Sequence, residues 1–318
     1  MDPPRVCNTS QKDSVMQDFG KVAVLMGGFS SEREVSLNSG RAILAALQSK
    51  GVDAHAFDPK ETPLGELKTQ GFQTAFNILH GTYGEDGAVQ GALELLGIPY
   101  TGSGVAASAI GMDKYRCKLI WQALGLPVPE FAVLRADSDF DAVEARLGLP
   151  LFVKPAAEGS SVGVVKVKEA GRLKAVYEEL KHLQGEIIAE RFIGGGEYTC
   201  PILHGRGLPS IRIIPSGEFY DYEAKYERND TVYQCPSDLS ENDENLMREL
   251  AVRGAQAIGA KGCVRVDFLK DTDGKLYLLE INTLPGMTDH SLVPKSAAQT
   301  GISFADLCLE ILKTAHVE

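Results

Sequence analysis

Apolar and polar residues are distributed over the first hundred positions in a pattern that predicts strands separated by helices. Residues 21–26 (KVAVLM) are continuously apolar after Lys21, which is typical of a parallel strand buried on both faces. Residues 31–34 (SERE) fit a capping box and predict the start of a helix. Further strands are predicted at 54–57 and 74–79. Strands that alternate with helices indicate a doubly wound α/β domain, in which ligands bind beyond the carboxyl ends of the strands.

A different pattern, strict alternation on both sides of an Asp-Gly pair, predicts a β-hairpin over residues 264–282. The Asp-Gly pair at 273–274 favours a two-residue loop. On that register Asp267 lies directly opposite Glu280, because side chains alternate between the two faces of each strand. In the first strand, one face is predicted to carry Val264, Val266 and Phe268, and the other Arg265 and Asp267. In the second strand, one face is predicted to carry Tyr277, Leu279 and Ile281, and the other Leu278, Glu280 and Asn282.

The pairing of two carboxylates predicts a cation at this hairpin. Like charges directly opposite one another destabilise a sheet, so Asp267 and Glu280 need a counter-charge. Their oxygens, together with the amide oxygen of Asn282, suit Mg²⁺ or Mn²⁺ bound jointly with the phosphates of a substrate. The alternative interpretation is a solvated hairpin face on which Arg265 pairs with Asp267.

A second set of elements is predicted around a long polar loop. Residues 216–240 are rich in aromatic and charged side chains, and a loop of this length is typical of a lid over a functional site. Residues 1–20 are polar and aperiodic and are interpreted as a disordered leader or a vector remnant. Residues 102–107 are interpreted as a loop that leads into a helix capped by Asp113. The other predicted elements are strands at 151–154, 164–167 and 187–193, and helices at 114–124, 241–258 and 303–314.

Composition and charge narrow the class of protein. The chain has 318 residues, of which 44% are apolar and 24% are charged, as expected of a globular protein with two or three domains. Its net charge of −11 disfavours a nucleic-acid partner and an anionic membrane surface. The six cysteines lack a Cys-x-x-Cys spacing, and no apolar run has transmembrane length. These features predict free thiols in a reducing cytoplasm.

Several loops and strand ends carry side chains that suit ligand binding. Backbone N–H groups of the glycine-serine loop at 158–163 can hold phosphate oxygens, and Lys154 adds a positive charge beside it; the alternative is an ordinary hairpin turn. Glu32 and His80 are candidate ligand contacts as well. The alternative for Glu32 is a simple partner of the helix dipole, and the alternative for His80 is a histidine in a turn. Glu190 lies near the end of a predicted strand. It is interpreted as a contact to adenine or ribose, with a surface glutamate as the default alternative.

Short motifs follow one another along the chain in a fixed order. They are GFSSEREVS at 28–36, HG at 80–81, Lys114, Lys154 with Pro155, EGSSVG at 158–163, YEAKY at 222–226, Asp267, EIN at 280–282 and PG at 285–286. This set resembles that of the D-alanine–D-alanine ligases, a family of ATP-grasp carboxylate–amine ligases, over residues 21–315. Two sites differ from the family's usual pattern: Phe29 replaces a polar residue, and Ala156 and Ala157 replace a more polar pair.

The resemblance implies an α/β and α+β fold of ATP-grasp architecture, with the doubly wound α/β domain at its N-terminus. After the leader, the implied domains are an N-terminal substrate domain at 21–102, a central ATP-grasp domain at 103–197, and a C-terminal ATP-grasp domain with metal site and lid at 198–318. ATP would lie between the second and third of these domains, in a cleft where all three meet.

The resemblance also implies roles for individual residues. Those assigned to catalysis are Glu32, Ser160, Tyr226, Arg265 and the N–H of Gly286. Those assigned to D-alanine are His80 for the first molecule, and Ser291 and the N–H of Leu292 for the second. Those assigned to ATP are Lys114, Lys154, Glu190, Glu197, Lys225 and the backbone of Arg191, Phe192 and Ile193. Those assigned to Mg²⁺ are Asp267, Glu280 and Asn282.

The implied function is the ATP-dependent joining of two D-alanines through an acyl phosphate, for peptidoglycan synthesis. Two alternatives stay open: a ligase on the same fold that makes D-alanyl-D-lactate or uses another amino acid, and a catalytically silent ATP-binding module. The expected partners are ATP, D-alanine and, as the commonest default, a second copy of the chain in a homodimer.

Overall fold

Three sheets, each packed against helices, make up the part of the chain that the structure describes. A computed structural model describes residues 18–159, 162–217, 230–288 and 291–318. The strands are β1 (Val22–Leu25), β2 (Ala54–Phe57), β3 (Thr74–Asn77), β4 (Phe131–Leu134), β5 (Leu151–Pro155), β6 (Val165–Val167), β7 (Ile187–Arg191), β8 (Gly196–Leu203), β9 (Arg206–Gly207), β10 (Ile211–Ile214), β11 (Val232–Gln234), β12 (Cys263–Lys270) and β13 (Leu276–Asn282). The helices are α1 (Arg33–Ser49), α2 (Glu66–Thr69), α3 (Ala88–Leu96), α4 (Val105–Met112), α5 (Lys114–Ala123), α6 (Phe140–Leu147), α7 (Leu173–Leu180), α8 (Glu241–Ala257), α9 (Leu292–Ala298) and α10 (Phe304–Leu312).

The N-terminal sheet is parallel, in the order β2-β1-β3, with a further parallel bridge from Ala75 to Tyr100. Apolar side chains cover both of its faces, so the predicted doubly wound domain is confirmed. The predicted capping box is wrong. Helix α1 has Glu32 at its N-cap without a side-chain cap bond, and it is the hydroxyl of Ser30 that accepts from the Glu32 N–H at 3.2 Å.

The central sheet is antiparallel, in the order β4-β7-β5-β6. Helices α6 and α7 pack on one face and enclose a separate apolar core. Asp139 caps α6 by accepting from the N–H of Ala142, and the carboxylate of Glu144 accepts from the N–H groups of Gly171 and Leu173. These bonds join the two helices on one face of the central sheet.

The largest sheet runs β11-β10-β8-β12-β13, with β9 paired to β8. Helices α5 and α8 cover one face, and the indole N–H of Trp121 donates to the carbonyl of Gly254 at 2.9 Å. Two loop predictions are wrong here. Residues 232–234 of the predicted lid form β11 because they pair with β10, and α4 begins at Val105 within the predicted 102–107 loop.

The β12–β13 hairpin has the predicted pairing of its two carboxylates, but its loop and its register differ from the prediction. Asp267 lies opposite Glu280, as predicted. The loop is longer by one residue than the predicted Asp-Gly loop, since the Asp271 N–H bonds to the Lys275 carbonyl. A bulge between the Phe268–Leu278 and Asp267–Glu280 pairs leaves Leu279 unpaired and cancels that extra residue.

The bulge also changes which residues of β13 share a face. Leu278 and Ile281 both enter the core, whereas Leu279 and Glu280 both line a cavity on the other side. The strict alternation predicted for the second strand is therefore wrong at this point. The bulge is what turns Glu280 away from the core face that Leu278 occupies.

The first and last elements of the chain share one core. Helices α9 and α10 and the segment before them pack with β1 and α1 in a single apolar cluster, which includes Val24, Ile43, Leu284, Met287 and Leu307. The predicted domain boundaries stay a prediction. In the described ranges no helix has both the length and the apolar content needed to span a membrane.

Candidate active site

A cavity of about 320 Å³ lies in the cleft between the central and the largest sheet. One wall comes from β5, β7 and the segment that follows β7; the other comes from β8, β10, β12 and β13. The cavity brings together each residue predicted to contact ATP that the structure describes: Lys114, Lys154, Glu190, Arg191, Phe192, Ile193 and Glu197. Lys225, the remaining predicted contact, lies outside the described residues.

Two lysines from different elements mark one end of the cavity. Lys114 opens α5, where Asp113 caps the helix by accepting from the Arg116 N–H. Its ammonium donates to the carbonyl of Glu158 at 2.7 Å and lies 3.6 Å from the Glu280 carboxylate. Lys154 reaches the same cavity from β5 and is almost fully buried. A polyanion bound at this end would meet two positive charges.

Glu190 is buried at the floor of the cavity, so its default interpretation as a surface glutamate is wrong. Only 3% of its surface is exposed. Its two carboxylate oxygens lie 2.5 Å from the ammonium of Lys154 and 2.7 Å from that of Lys118. Burial by itself would raise the pKa of Glu190, but the two ammonium groups outweigh it and hold the pKa below its usual range.

Aromatic rings line the end of the cavity next to the segment that follows β7. Phe152 and Phe192 lie with ring centroids 6.0 Å apart, and the ammonium of Lys166 lies 4.4 Å from the centroid of the Phe192 ring. Arg191 ends β7, and Phe192 and Ile193 belong to the connection between β7 and β8, which links the two walls. A flat, apolar ligand group suits this end, since stacking and edge contacts favour it.

The predicted metal ligands meet on one face of the β12–β13 hairpin. Asp267 accepts from the guanidinium of Arg265 at 2.8 and 2.9 Å, from the Asn282 amide at 3.0 Å and from the Thr199 hydroxyl at 2.5 Å. The counter-charge in the structure is therefore Arg265, as in the alternative interpretation of the hairpin. Glu280, opposite Asp267, lies on the cavity wall.

A second group of predicted residues meets where the N-terminal sheet faces the cleft. The Ser30 hydroxyl donates to the carbonyl of His80, whose ring Nδ1 lies 3.3 Å from the Glu85 carboxylate. His80 is buried, and its ring Nε2 has no hydrogen-bond partner among the described residues. The Glu32 carboxylate lies beside Gly81: a Cβ there would be 2.9 Å from its Oε2.

Gly286 and Ser291 lie together at the start of α9. A Cβ on Gly286 would be 3.2 Å from the Ser291 hydroxyl, which in turn accepts from the Thr288 N–H at 2.9 Å. Ser291 is the N-cap of α9 and Leu292 its first residue, so the Leu292 N–H is one of the donors at the helix start. Two predicted catalytic residues, Ser160 and Tyr226, lie outside the described residues.

Three residues of the site were not predicted from the sequence. Thr199 reaches Asp267 from β8 because Thr199 and Asp267 are cross-strand partners. Arg212 reaches the cavity from β10. Lys118 could have been found, because it follows Lys114 by four residues and precedes Trp121 by three, which places all three on one side of α5.

A cleft between two sheets with lysines at one end and a carboxylate hairpin on one wall defines an ATP-grasp ligase. Comparisons with known proteins agree with this class. The family described as D-ala D-ala ligase C-terminus matches residues 120–313, and the one described as D-ala D-ala ligase N-terminus matches residues 53–103. The chain belongs to the D-alanine–D-alanine ligase family.

Individual relatives are similar over almost the whole chain. A D-alanine–D-alanine ligase of Neisseria meningitidis serogroup B is 86% identical over 303 residues, which are 95% of this chain and 100% of the relative. A crystal structure of a D-alanine–D-alanine ligase from Bacillus anthracis complexed with ATP has a TM-score of 0.79 at 34% identity, covering 92% of this chain and 96% of that one. The VanG D-Ala:D-Ser ligase from Enterococcus faecalis has a TM-score of 0.80 at 29% identity, covering 92% and 98%.

Proposed function

We propose that this ligase joins two D-alanine molecules at the expense of ATP, yielding D-alanyl-D-alanine for peptidoglycan synthesis, and that ATP occupies the cavity in the cleft. The observation that supports this proposal most is the cavity itself, because residues from four separate segments predicted to contact ATP line it together. Its lysines suit the phosphates and its aromatic end suits the adenine ring.

We assign the ATP contacts within this cavity as follows. Lys114 and Lys154 bind the phosphates as positive charges. Glu197 binds the ribose, and the backbone of residues 191–193 lies beside the adenine. Glu190 contacts the adenosine part of the nucleotide. Its negative charge is balanced by Lys118 and Lys154, so it does not repel the phosphates.

Asp267, Glu280 and Asn282 have the donor set that Mg²⁺ prefers, two carboxylates and an amide oxygen on one hairpin face. We propose that these three residues hold Mg²⁺, or Mn²⁺ in its place, alongside the ATP phosphates. A bound Mg²⁺ would neutralise the charge on the phosphoryl group during transfer. Arg265 and Lys114 lie near these carboxylates in the structure and reduce their mutual repulsion.

The remaining assignments concern D-alanine. In the first step a carboxylate oxygen of D-alanine attacks the γ-phosphorus of ATP and ADP leaves, which gives an acyl phosphate. In the second, the deprotonated amine of the other D-alanine attacks the acyl carbon and phosphate leaves. Glu32 suits the ammonium of the first D-alanine. His80, whose buried Nε2 has no hydrogen-bond partner among the described residues, would lie near the same D-alanine. We assign the oxyanion to Arg265 and the Gly286 N–H.

The second D-alanine carboxylate would be held by Ser291 and the Leu292 N–H, at the positive end of a helix dipole. Ser160, Lys225 and Tyr226 keep the roles that the family resemblance implies: Ser160 and Tyr226 in a network with Glu32, and Lys225 at the transferred phosphate. A lid over the cleft would protect the acyl phosphate from water.

We further propose that the protein works in the cytoplasm as a homodimer. The described cysteines, Cys117, Cys200, Cys235, Cys263 and Cys308, are all free thiols, which favours a reducing compartment. The dimer rests on the general preference of soluble oligomers for two-fold symmetry. Gel filtration with light scattering tests it, and a monomer mass would overturn it.

ADP release coupled to NADH oxidation tests the proposed activity. Purified protein with ATP, Mg²⁺ and D-alanine is expected to release ADP and to form D-alanyl-D-alanine in equal amounts, as measured by chromatography. L-Alanine, D-serine and D-lactate in place of D-alanine serve as the panel. When D-lactate or D-serine competes with D-alanine, a mixed product that exceeds D-alanyl-D-alanine would replace D-alanine as the second substrate. Absence of release with every member would leave only the ATP-binding module.

A further inference from the structure

Lys118 is the most deeply buried charged side chain near the cavity. It lies on α5 with none of its surface exposed, and its ammonium nitrogen is 2.7 Å from one oxygen of Glu190. The ammonium of Lys154 is 2.5 Å from the other oxygen. One buried carboxylate therefore carries two lysine partners, one more than neutrality requires.

The two lysines differ in their access to a ligand. Lys154 and Glu190 line the cavity, whereas Lys118 does not. Burial lowers the pKa of Lys118 more than the neighbouring Glu190 raises it. A fully buried cation is costly unless a carboxylate compensates it. Lys118 therefore contacts Glu190 on the side away from the cavity, whereas Lys154 contacts it on the side that lines the cavity.

On the basis of the proposed ATP site, we propose that Lys118 is a positioning residue that stays paired with Glu190 and so releases Lys154 to the phosphates of the nucleotide. Without Lys118, Lys154 would be the remaining ammonium on Glu190 among the described residues. Its movement to a phosphate would then leave a buried carboxylate uncompensated, which is strongly unfavourable. Lys154 would be retained by Glu190 and nucleotide binding would weaken.

The substitution Lys118→Met tests this role because methionine keeps the unbranched shape and removes the charge. Calorimetry with ADP and with a non-hydrolysable ATP analogue is expected to show a Kd raised by about tenfold or more, which corresponds to about 1.4 kcal/mol. The KM for D-alanine is expected to stay at the wild-type value. Cys117→Ala is the matched control, since Cys117 is a buried neighbour on the same helix that does not line the cavity.

The double variant Lys118→Met with Glu190→Gln separates charge pairing from packing. Removing the Glu190 charge frees Lys154, so the double variant is expected to bind nucleotide more tightly than Lys118→Met alone. If Lys118 only supported the packing of α5, the losses of binding free energy in the two single variants would add in the double variant. Additive losses, a wild-type Kd in Lys118→Met, or an equal loss in Cys117→Ala would each overturn the proposal.

A crystal structure of the wild-type protein with bound nucleotide gives a test that does not depend on a variant's folding. The Lys118 ammonium is expected to stay within hydrogen-bond distance of Glu190 while that of Lys154 contacts phosphate. Lys154 still paired with Glu190 and away from the phosphates would overturn the proposal. Nucleotide binding is measured without D-alanine. A wild-type protein that binds nucleotide but forms no dipeptide would therefore refute the proposed function, while the Kd values of wild type and the Lys118 variants would still test the role of Lys118.

Discussion

At the scale of single residues, the two carboxylates that face each other across the hairpin have unlike surroundings. Asp267 is 5% exposed and accepts from three other side chains. Glu280 is partly exposed on the cavity wall, and Lys114 lies 3.6 Å from it. Removing one charge is therefore expected to have a different effect on folding at each position, even if both charges serve the same ligand.

Asp267→Asn is expected to lower turnover by at least about a hundredfold, because charge neutralisation during phosphoryl transfer is lost. It is also expected to lower the free energy of unfolding by about 1–3 kcal/mol, since the buried ion pair between Asp267 and the Arg265 guanidinium is lost. From the sequence alone, this variant would be predicted to fold as well as wild type; the buried ion pair reverses that prediction. Steady-state kinetics and urea unfolding measure both effects.

Glu280→Gln is the matched control for this experiment. Its turnover is expected to fall as far, with a smaller change in unfolding free energy, because Glu280 is less buried than Asp267. An Asp267→Asn protein with wild-type turnover at saturating Mg²⁺ and ATP would remove Asp267 from the metal site.

Gly81 is expected to control the position of the Glu32 carboxylate. It has φ +71°, and a Cβ would lie 2.9 Å from Glu32 Oε2. Gly81→Ala is therefore expected to raise the KM for D-alanine and to cost about 1–2 kcal/mol of stability from backbone strain. Gly71→Ala has a similar φ of +78° with nothing within 4 Å, so it is expected to lose stability only. Equal KM values in the two variants would contradict this role of Gly81.

At the scale of elements, the loop after β2 is tied to the start of α1 by one carboxylate. Asp58 lies 2.7 Å from the Arg33 guanidinium and accepts from the N–H groups of Gly28 and Lys60. Partial burial alone would raise the pKa of Asp58, but the Arg33 hydrogen bond and these N–H donors together hold it below the usual 3.8. The charged form is therefore favoured in the folded protein.

This depressed pKa predicts a pH-dependent contribution to stability. A carboxyl whose pKa is lower in the folded state stabilises the protein above about pH 4 and loses that contribution as the pH falls through its folded pKa. Asp58→Asn is expected to lower the Tm at pH 7, with a difference from wild type that shrinks at pH 3. Thermal unfolding at both pH values measures it, with the exposed Asp137→Asn as control. A Tm difference that is equal at both pH values would contradict the assignment.

Sequence patterns predicted the elements better than they predicted the local detail. The apolar run of β1 and the alternation of β12 predicted their strands because burial on two faces or on one leaves a direct signature. The bulge at Leu279 was missed because it depends on the length of a loop several residues away. The spacing of Lys118 on α5 is visible in the sequence, but its pairing with Glu190 is not, because Glu190 belongs to another element. Local patterns do not contain such tertiary partners.

At the scale of the whole molecule, α10 belongs to the core of the N-terminal sheet although it lies at the other end of the chain. Leu307 and Leu312 are fully buried in the cluster that contains Val24 and Ile43. The N-terminal sheet and the C-terminal helices are therefore expected to unfold together, because each covers apolar surface of the other.

Leu307→Ala tests this shared core. It is expected to lower the free energy of unfolding by about 2–5 kcal/mol, since a buried leucine is removed and a cavity is left. Hydrogen exchange is expected to be faster at the amides of β1, far away in sequence. Leu95→Ala is the control, because Leu95 is 94% exposed. Unchanged protection of β1 in Leu307→Ala would show that the two parts unfold separately.

The same core has a consequence for how the protein is made. A ribosome adds residues at about 5–20 per second, so the helix α10 emerges tens of seconds after strand β1. During that interval the face of the first sheet that α10 covers stays open to solvent and to other nascent chains. Synthesis must pass Leu312 before the first strand is fully enclosed, and a chain that stops before Phe304 lacks part of the cover of the N-terminal sheet.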